Sequence, residues 1–431
     1  MEPAGYICRP ESAADENNAR QQQLTVPFHS PIRRNVQLNP VYSSLFEPHT
    51  FAAGDTTLKN RLVMAPMTTY ASNPDGTITP EELEYLRRRS RGVGMVITAA
   101  CYVIGHGHTF DGQWSCASDD MIPSLRSAAE AIRGEGAVAV LQLHHGGRLA
   151  PASILGHAPL APSAVASERS GSDTPRAMEE QEIEETINAF GAAARRAIQA
   201  GFDGVEIHGA NGYLLQQFFS PHANRRTDQW GGSPENRAAF PIAVLEEVQK
   251  IVRRNAYRPF SIGYRLSPEE ITEPGITMQD TLQLVEGLAA CRPDWIHIST
   301  NDYFAGSIRD KGDYHPRARM IAERMRGRTT VIATGSITTP AAAAGVLTDG
   351  PDLVAMGRSL LMEPEWVAKV MGGMEDDIRT CLPAAGGAET LAIPPAMYRK
   401  LLGRPGWLPV CREQTATSRL NGIDRQMGIT A

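Results

Sequence analysis

Gly204-Val-Glu-Ile-His208 is a short apolar run between two longer segments, Ile183–Ala200 and Ala238–Arg254, whose apolar residues recur with a helical period. Such a run between two amphipathic segments is the pattern of a buried parallel strand flanked by helices. From about Leu45 onwards, short apolar runs and longer amphipathic segments alternate along the chain. We therefore expect repeated βα units that build one parallel sheet.

Seven further runs of this kind bring the number of predicted strands to eight. The predicted strands are Arg61–Met67, Gly94–Ala100, Ala137–His144, Gly204–His208, Phe260–Arg265, Trp295–Ser299, Thr330–Thr334 and Leu353–Met356. Helical periods lie between most of them, at Ile183–Ala200, Ala238–Arg254, Met278–Ala290, Ala318–Arg326 and Pro340–Leu347. This alternation predicts an α/β fold of the (β/α)8 TIM-barrel type.

The chain divides into three predicted parts. Residues 1–44 are polar and lack a sustained apolar period, which predicts a flexible N-terminal arm. Residues 45–382 hold the barrel, and the Pro/Ser/Gly-rich segment Ala150–Pro175 is interpreted as an insertion within it. We expect residues 383–431 to form a C-terminal extension that packs on the barrel or on a neighbouring subunit.

The composition is that of a soluble globular protein, with 42% hydrophobic and 21% charged residues. A net charge of -6 argues against a nucleic-acid partner, because binding to phosphate backbones needs clustered basic residues. No apolar run is long enough to span a bilayer, and residues 1–45 contain no signal-peptide hydrophobic region, so we expect no membrane partner and a cytoplasmic location. The six cysteines contain no CxxC pair, which favours free thiols over a disulfide framework, a zinc site or an iron–sulfur site.

Glycine turns follow the last two predicted strands, at Gly335-Ser336 and Gly357-Arg358. Glycine allows backbone N–H groups to close around an anion, and these two loops are a frequent phosphate site in TIM barrels. Arg358 adds a permanent charge that can bind a phosphate in a bidentate manner. An equally good explanation of the turns alone is that the glycines simply end the strands.

A more specific string begins where the fourth strand ends. It reads His208-Gly-Ala-Asn211-Gly-Tyr213, followed by Arg226-Thr-Asp, Gly231-Gly and Glu235-Asn-Arg. This long series resembles the old yellow enzyme family, as do Pro66-Met-Thr68, Leu141-Gln142-Leu, Tyr264-Arg265 and the two glycine turns. The resemblance extends over roughly residues 45–364, which is nearly the whole predicted barrel.

The resemblance implies an FMN cofactor inside the barrel. It implies that Pro66, Met67, Thr68 and Ala100 face the flavin ring, that Gln142 binds its pyrimidine edge, that Arg265 lies near N1 and O2, and that Gly335, Ser336, Gly357 and Arg358 bind the phosphate. A fixed guanidinium near N1 would stabilise the negative charge of the reduced flavin. No G-x-G-x-x-G motif follows a strand, so NAD(P)H is expected to share the flavin pocket as co-substrate.

The resemblance also implies an ene-reductase activity on α,β-unsaturated carbonyl or nitro compounds. His208 and Asn211 would hydrogen-bond the activating oxygen, hydride would pass from flavin N5 to the β-carbon, and Tyr213 would protonate the α-carbon. Thr68 and Asn211 follow one branch of the family, whereas Tyr70 is similar to a substrate-contacting Tyr of the other branch. The small-molecule electrophilic alkene that this mixed pocket prefers is therefore left open.

The terminal Arg404-Pro-Gly-Trp407 resembles a tail that some relatives insert into a neighbouring subunit's site, which hints at a homo-oligomer. Two alternative functions also stay open. His106-Gly-His108 has the HxH form of metal-dependent TIM-barrel hydrolases, although it lies in a Gly-rich loop and lacks a matching Lys or Asp constellation, so we expect no metal site. A non-catalytic flavin-binding protein is the second alternative, because a sequence does not show turnover.

Overall fold

Gly204–Gly209 is the fourth strand of a closed parallel sheet in the computed structural model, which describes residues 37–52 and 56–411. The barrel strands are β1 Leu62–Met64, β2 Met95–Tyr102, β3 Val138–His144, β4 Gly204–Gly209, β5 Ser261–Leu266, β6 Trp295–Ser299, β7 Thr330–Thr334 and β8 Leu353–Met356. Each pairs in parallel with its neighbours in chain order, and β8 pairs with β1. The predicted (β/α)8 TIM barrel is confirmed.

Helices cover the outside of the barrel. They are α1 Pro80–Ser90, α2 Ile122–Arg133, α3 Glu180–Ala200, α4 Pro234–Asn255, α5 Met278–Ala290, α6 Arg317–Met325 and α7 Pro340–Asp349 between the strands, then α8 Arg358–Met362, α9 Trp366–Met371 and α10 Pro395–Leu402. In α3, a capping box between Glu179 and Glu182 satisfies orphan N–H groups at the start. Gly201 ends the helix with a φ of 89°, which glycine adopts without steric cost.

The predicted strands and helices are confirmed, with ends that shift by a few residues. Strand β1 ends at Met64 rather than at Met67, because Pro66 has no N–H to donate to a neighbouring strand. Helices α1 and α2 are not among the predicted helices. In α1, six of the eleven residues are charged, which makes the apolar period difficult to recognise. Two of those charged residues, Glu82 and Arg89, are buried against the rest of the protein.

Residues 1–36, most of the predicted arm, and residues 412–431 lie outside the described part of the chain. A 3-10 helix, Pro40–Phe46, spans the predicted boundary at residue 44, and its Leu45 is fully buried. Ordered structure therefore begins before that boundary. None of the described helices is long and apolar enough to cross a membrane.

The described part of the C-terminal extension packs on the chain's own barrel. Arg88 of α1 donates to the carbonyl oxygen of Thr390 at 2.6 Å, and the buried Arg89 donates to that of Leu391 at 2.8 Å. These bonds satisfy backbone groups that the extension would otherwise leave unpaired. The extension therefore has a fixed position over one side of the barrel, close to β1.

The prediction that all cysteines are free thiols is wrong. Cys381 and Cys411 form a disulfide that closes a segment of sequence separation 30, while Cys101, Cys116 and Cys291 are free. The pair was missed because neither spacing nor composition marks it. A persistent disulfide is uncommon in cytosolic proteins, so the cytoplasmic location stays a prediction.

Replacing Cys381 with Ser is expected to destabilise the C-terminal extension by about 3 kcal/mol, because the cross-link removes loop entropy from the unfolded segment. Proteolysis and denaturant unfolding under non-reducing conditions measure the change. Cys291→Ser, which alters a free and half-buried thiol, is the matched control. Alkylation of both Cys381 and Cys411 in unreduced, folded protein would contradict the bond.

Candidate active site

The candidate site is a cavity of about 690 Å³ at the carboxyl ends of the barrel strands. Its lining includes eight of the predicted site residues, namely Pro66, Met67, Asn211, Arg265, Gly335, Ser336, Gly357 and Arg358. A volume of this size is typical of a pocket that holds a cofactor or a drug-sized ligand. The cavity also lies at the end of the barrel where TIM-barrel enzymes carry their chemistry.

One end of the cavity is built by the glycine turns after β7 and β8. Gly335 has a φ of 141°, and a Cβ there would lie 2.7 Å from the Thr300 hydroxyl oxygen. Arg358 donates from Nη2 to Ser336 Oγ at 2.6 Å and to the Asn301 carbonyl oxygen at 2.9 Å. Arg358 forms no ion pair with any carboxylate among the described residues, so its charge is available to an anion such as a phosphate.

A buried carboxylate, Glu206 on β4, organises the interior of the barrel. It accepts hydrogen bonds from Gln142 Nε2 at 2.9 Å, from Trp295 Nε1 at 3.0 Å and from His297 Nδ1 at 2.9 Å. Burial alone would raise the pKa of Glu206, but His297 and Arg265 outweigh this effect and hold the pKa below its ordinary value. Because the carboxylate accepts only, it fixes the Gln142 amide with its nitrogen towards Glu206 and leaves Oε1 for another partner.

Arg265 on β5 brings a buried positive charge to the cavity. Its Nη2 donates to Ser299 Oγ at 3.0 Å, whereas its Nε is buried with no partner among the described residues. Burial lowers the pKa of this guanidinium, and the Glu206 carboxylate opposes the shift. An orphaned buried donor is costly unless a ligand satisfies it, so Arg265 fits a ring oxygen or nitrogen of a flavin.

Asn211 lies beyond β4 with a left-handed backbone, at a φ of 60°. Its Oδ1 accepts a hydrogen bond from Ser299 Oγ at 2.9 Å, and its backbone N–H donates to Ser267 Oγ at 2.9 Å. Arg265, Ser299 and Asn211 therefore form a chain of hydrogen bonds that fixes the amide. No described residue accepts a hydrogen bond from Asn211 Nδ2, so this group can donate to a ligand oxygen.

His208 supplies a second donor near Asn211. Its Nδ1 accepts the Ala210 backbone N–H at 3.2 Å, which places the ring proton of the neutral imidazole on Nε2. Burial lowers the pKa of His208 well below its ordinary value, and His144 adds to the shift. The residue is therefore a neutral N–H donor at physiological pH.

Tyr213 precedes the short helix Leu214–Phe219, and its ring packs edge-on against His208 and His144 at centroid distances of 5.0 and 4.4 Å. Burial raises the pKa of Tyr213 to about 12, although Arg169 draws it in the opposite direction. The phenol is therefore undissociated at neutral pH. An undissociated phenol beside a binding cavity can act as a proton donor.

A neighbouring cavity of about 240 Å³ joins Thr68 and Tyr70 to the C-terminal extension. It is lined on one side by Pro66, Met67, Thr68, Tyr70 and Asn211 and on the other by Met397, Lys400, Leu401, Arg404 and Trp407. The Arg404-to-Trp407 segment thus reaches the site of its own chain. The predicted homo-oligomer stays a prediction.

Two predicted flavin contacts, Ala100 and Gln142, lie beside each other in the β2–β3 register; both are buried, and neither is among the lining residues of the two cavities. The HxH histidines also have other partners. His106 Nδ1 lies 2.8 Å from His145 Nε2, and His108 Nε2 lies 2.8 Å from the Phe110 carbonyl oxygen. No group of three His, Cys, Asp or Glu side chains in the described residues could hold a metal ion.

Several functional residues were not predicted from the sequence. Ser299 and Ser267 hold Asn211, and Glu206 holds Gln142. The position of Ser299 at the end of a predicted barrel strand could have identified it. Arg169, in the insertion, and Lys400, in the extension, reach the site through long-range packing that leaves no local pattern.

Comparison with known proteins agrees with these features. The model of the NADH:flavin oxidoreductase / NADH oxidase family matches residues 44–377. A probable NADH-dependent flavin oxidoreductase of Bacillus subtilis is 45% identical over 373 residues, which are 86% of this chain and 99% of that protein. The NADH:fumarate oxidoreductase of Klebsiella pneumoniae is 43% identical over 360 residues, covering 82% of this chain but 38% of that protein.

A solved structure, that of the old yellow enzyme homologue from Zymomonas mobilis, superposes on this chain with a TM-score of 0.66 and 26% identity. The superposition covers 76% of this chain and 92% of that protein. The family match and the shared barrel agree with the two arginines of the cavity. Arg358 lies at one end and has no carboxylate partner among the described residues, and the buried Arg265 lies on β5. The chain therefore belongs to the old yellow enzyme family of NADH:flavin oxidoreductases, and it is an NAD(P)H-dependent enzyme that uses FMN.

Proposed function

We propose that this enzyme reduces the C=C bond of small alkenes that a neighbouring carbonyl or nitro group activates. The observation that carries the proposal is the arrangement of three side chains at the carboxyl end of β4 and directly after it. His208 and Asn211 offer two N–H donors that no other described residue occupies, and the neutral phenol of Tyr213 packs against the imidazole. Two donors and one proton source are what polarising and protonating an activated alkene requires.

The residues around the large cavity divide into groups that suit the parts of FMN, which supplies the hydride when bound. Gly335, Ser336, Gly357 and Arg358 would hold the phosphate, Arg265 and Gln142 would bind the polar edge of the ring, and Pro66, Met67, Thr68 and Ala100 would lie against it. This division is supported by the orphaned Nε of Arg265 and by the Arg358 guanidinium, which has no carboxylate partner among the described residues.

In the proposed reaction the chain's own residues bind the activating oxygen and deliver a proton. His208 Nε2–H and Asn211 Nδ2–H would donate to the carbonyl or nitro oxygen and stabilise the negative charge that develops there. Tyr213 would transfer its phenolic proton to the α-carbon. The nicotinamide of NAD(P)H would use the same two donors for its carboxamide oxygen before the alkene enters.

Purified protein tests the proposal. We expect it to retain FMN, to oxidise NAD(P)H, and to reduce cyclohexenone to cyclohexanone with one equivalent of NAD(P)H. Flavin absorbance, loss of NAD(P)H absorbance and chromatography of the product measure the three steps separately. If FMN is bound but NAD(P)H and cyclohexenone are both left unchanged, the chain is a non-catalytic flavin-binding protein and the proposal fails.

A further inference from the structure

We propose that Arg169, Lys400 and Arg404 form an anion subsite beside the oxygen pocket and that the enzyme prefers activated alkenes which also carry a carboxylate. The inference rests on the proposed function, because it describes which substrates that same site selects. Arg169 comes from the insertion after β3, and the other two come from the C-terminal extension. The three cations therefore approach the site from two separate parts of the chain.

The first argument is an excess of positive charge. The large cavity is lined by Arg169, Arg265, Arg358 and Arg404, and the smaller one by Lys400 and Arg404, with no acidic side chain in either lining. In the proposed FMN site, Arg265 would bind the polar edge of the flavin ring and Arg358 would bind the phosphate. The remaining three cations are not used by that cofactor.

The second argument is that these cations have no anionic partner among the described residues. Within the described ranges, none of the side chains of Arg169, Lys400 and Arg404 lies within ion-pair distance of an Asp or Glu. Arg148, another arginine at the barrel mouth, lies in contrast 3.7 Å from Glu168. Like charges facing one cavity repel one another, so their placement is explained by an anion that enters between them.

The third argument is position. Arg404 Nη2 lies 3.5 Å from the Tyr70 hydroxyl, and Lys400 Nζ lies 5.0 Å from the centre of the Tyr70 ring. Arg169 lies close enough to Tyr213 to oppose part of the rise that burial causes in the pKa of Tyr213. Tyr70 and Tyr213 both contact Phe110, so the cations border the same group of aromatic side chains as the proposed proton donor.

A short substrate can reach these cations while its activating oxygen occupies the pocket of His208 and Asn211. A carboxylate bound by a guanidinium forms hydrogen bonds that are shorter and stronger than neutral ones. The phosphates of NAD(P)H are the other source of a negative charge at this mouth. An experiment can separate these two sources of negative charge, because only the substrate carboxylate requires a charge on the alkene.

Equilibrium binding of two phenols to the FMN-loaded enzyme tests the subsite without turnover. A phenol oxygen mimics the activating oxygen, and 4-hydroxybenzoate differs from methyl 4-hydroxybenzoate by one negative charge. We expect the acid to bind at least about tenfold more tightly than the ester, as one charge-assisted contact would give. The preference should fall as the salt concentration rises, since the cations are exposed.

Arg404→Gln and Lys400→Gln are each expected to weaken binding of the acid more than binding of the ester. Arg87→Gln removes a charge of the same sign from an exposed position on α1 and is the matched control. The same comparison in turnover uses cinnamaldehyde and 4-carboxycinnamaldehyde, where the expected change is in KM. Circular dichroism and FMN content confirm that each variant is folded.

Equal binding of acid and ester by the wild-type enzyme would overturn the subsite. A second overturning result is that Arg404→Gln and Lys400→Gln raise the KM for NADH or NADPH and leave the acid preference intact, because the cations would then serve the co-substrate. Reduction of uncharged cinnamaldehyde separates this failure from failure of the proposed function. An enzyme that reduces it without preferring the 4-carboxy compound is an alkene reductase without the subsite.

Discussion

Tyr213→Phe is expected to slow alkene reduction by roughly 10²- to 10⁴-fold, the usual contribution of a positioned general acid. Oxidation of NAD(P)H by the same variant should stay nearly unchanged, because that step needs no proton from this phenol. Phe keeps the ring that packs against His208 and His144. The substitution therefore removes the proton donor and leaves the packing in place.

The pH dependence of alkene reduction gives a second check. Because burial raises the pKa of Tyr213 to about 12, the phenol keeps its proton throughout the neutral and mildly alkaline range. Activity that depends on this proton is fully present well below that pKa and is lost as the pH rises through it. We therefore expect no decrease assignable to Tyr213 near pH 7 to 9.

Stopped-flow measurements separate the two steps, with the enzyme first reduced by NAD(P)H and then mixed with cyclohexenone. Tyr70→Phe is the matched variant, since it removes a phenolic oxygen from another side of the pocket. We expect it to act mainly on KM. Equal slowing of both steps in Tyr213→Phe would exclude the assigned acid, and a slow second step in Tyr70→Phe alone would transfer the role to Tyr70.

The barrel was predictable because each strand is an apolar run of the right length and is buried on both faces. Gly204-Val-Glu-Ile-His208 shows this best, since it also places His208 at the strand's carboxyl end. Because TIM-barrel enzymes carry their chemistry at the carboxyl ends of the strands, the residues from His208 to Tyr213 were expected at the catalytic face. The fold and the centre of the site therefore follow from local sequence.

Other parts of the site could not be predicted, because they depend on contacts between distant residues. Glu206 interrupts an apolar strand, and only the closed barrel brings Trp295 and His297 to it as donors. Cys381 and Cys411 meet in a disulfide because their neighbours Leu382 and Val410 form a parallel backbone bridge across a sequence separation of 30. No periodic pattern encodes such pairings, which the tertiary structure alone determines.

The contribution of the C-terminal extension shows the same limit. The string Arg404-Pro-Gly-Trp407 resembles a tail that some relatives insert into a neighbouring subunit's site, and such a contact stays a prediction; in the structure, Arg404 and Trp407 line a cavity of their own chain. A short motif can indicate which side chains reach a pocket. It does not indicate whether the pocket belongs to the same chain or to a neighbouring one. The Arg89 side chain of α1 donates a hydrogen bond to the Leu391 carbonyl oxygen and so anchors the described part of the extension to its own barrel.

His208→Leu is expected to reduce the rates of both NAD(P)H oxidation and alkene reduction by about 10²- to 10³-fold, as the loss of one oxyanion donor does. The substitution replaces the imidazole with an apolar side chain of similar size and removes the Nε2–H donor. It also leaves the Ala210 N–H without its acceptor, at a cost of about 1 kcal/mol. The barrel should therefore remain folded and retain FMN.

The two substitutions together distinguish the roles of the residues. If the nicotinamide and the alkene share the oxygen pocket, His208→Leu must affect both steps, whereas Tyr213→Phe affects one. Because burial holds the pKa of His208 well below its ordinary value, wild-type rates should show no inflection near pH 6.5.

His157→Leu, at an exposed loop position, controls for the loss of an imidazole. Titration of the oxidised enzyme with a phenol should show weaker phenol binding in His208→Leu than in the wild-type enzyme. Phenol binding by His157→Leu should be unchanged. An inflection near pH 6.5 that disappears in His208→Leu would instead assign the residue a role as a protonated acid. The donor role argued from Ala210 and the buried imidazole would then be wrong, because the ring would have to carry a charge that its surroundings disfavour.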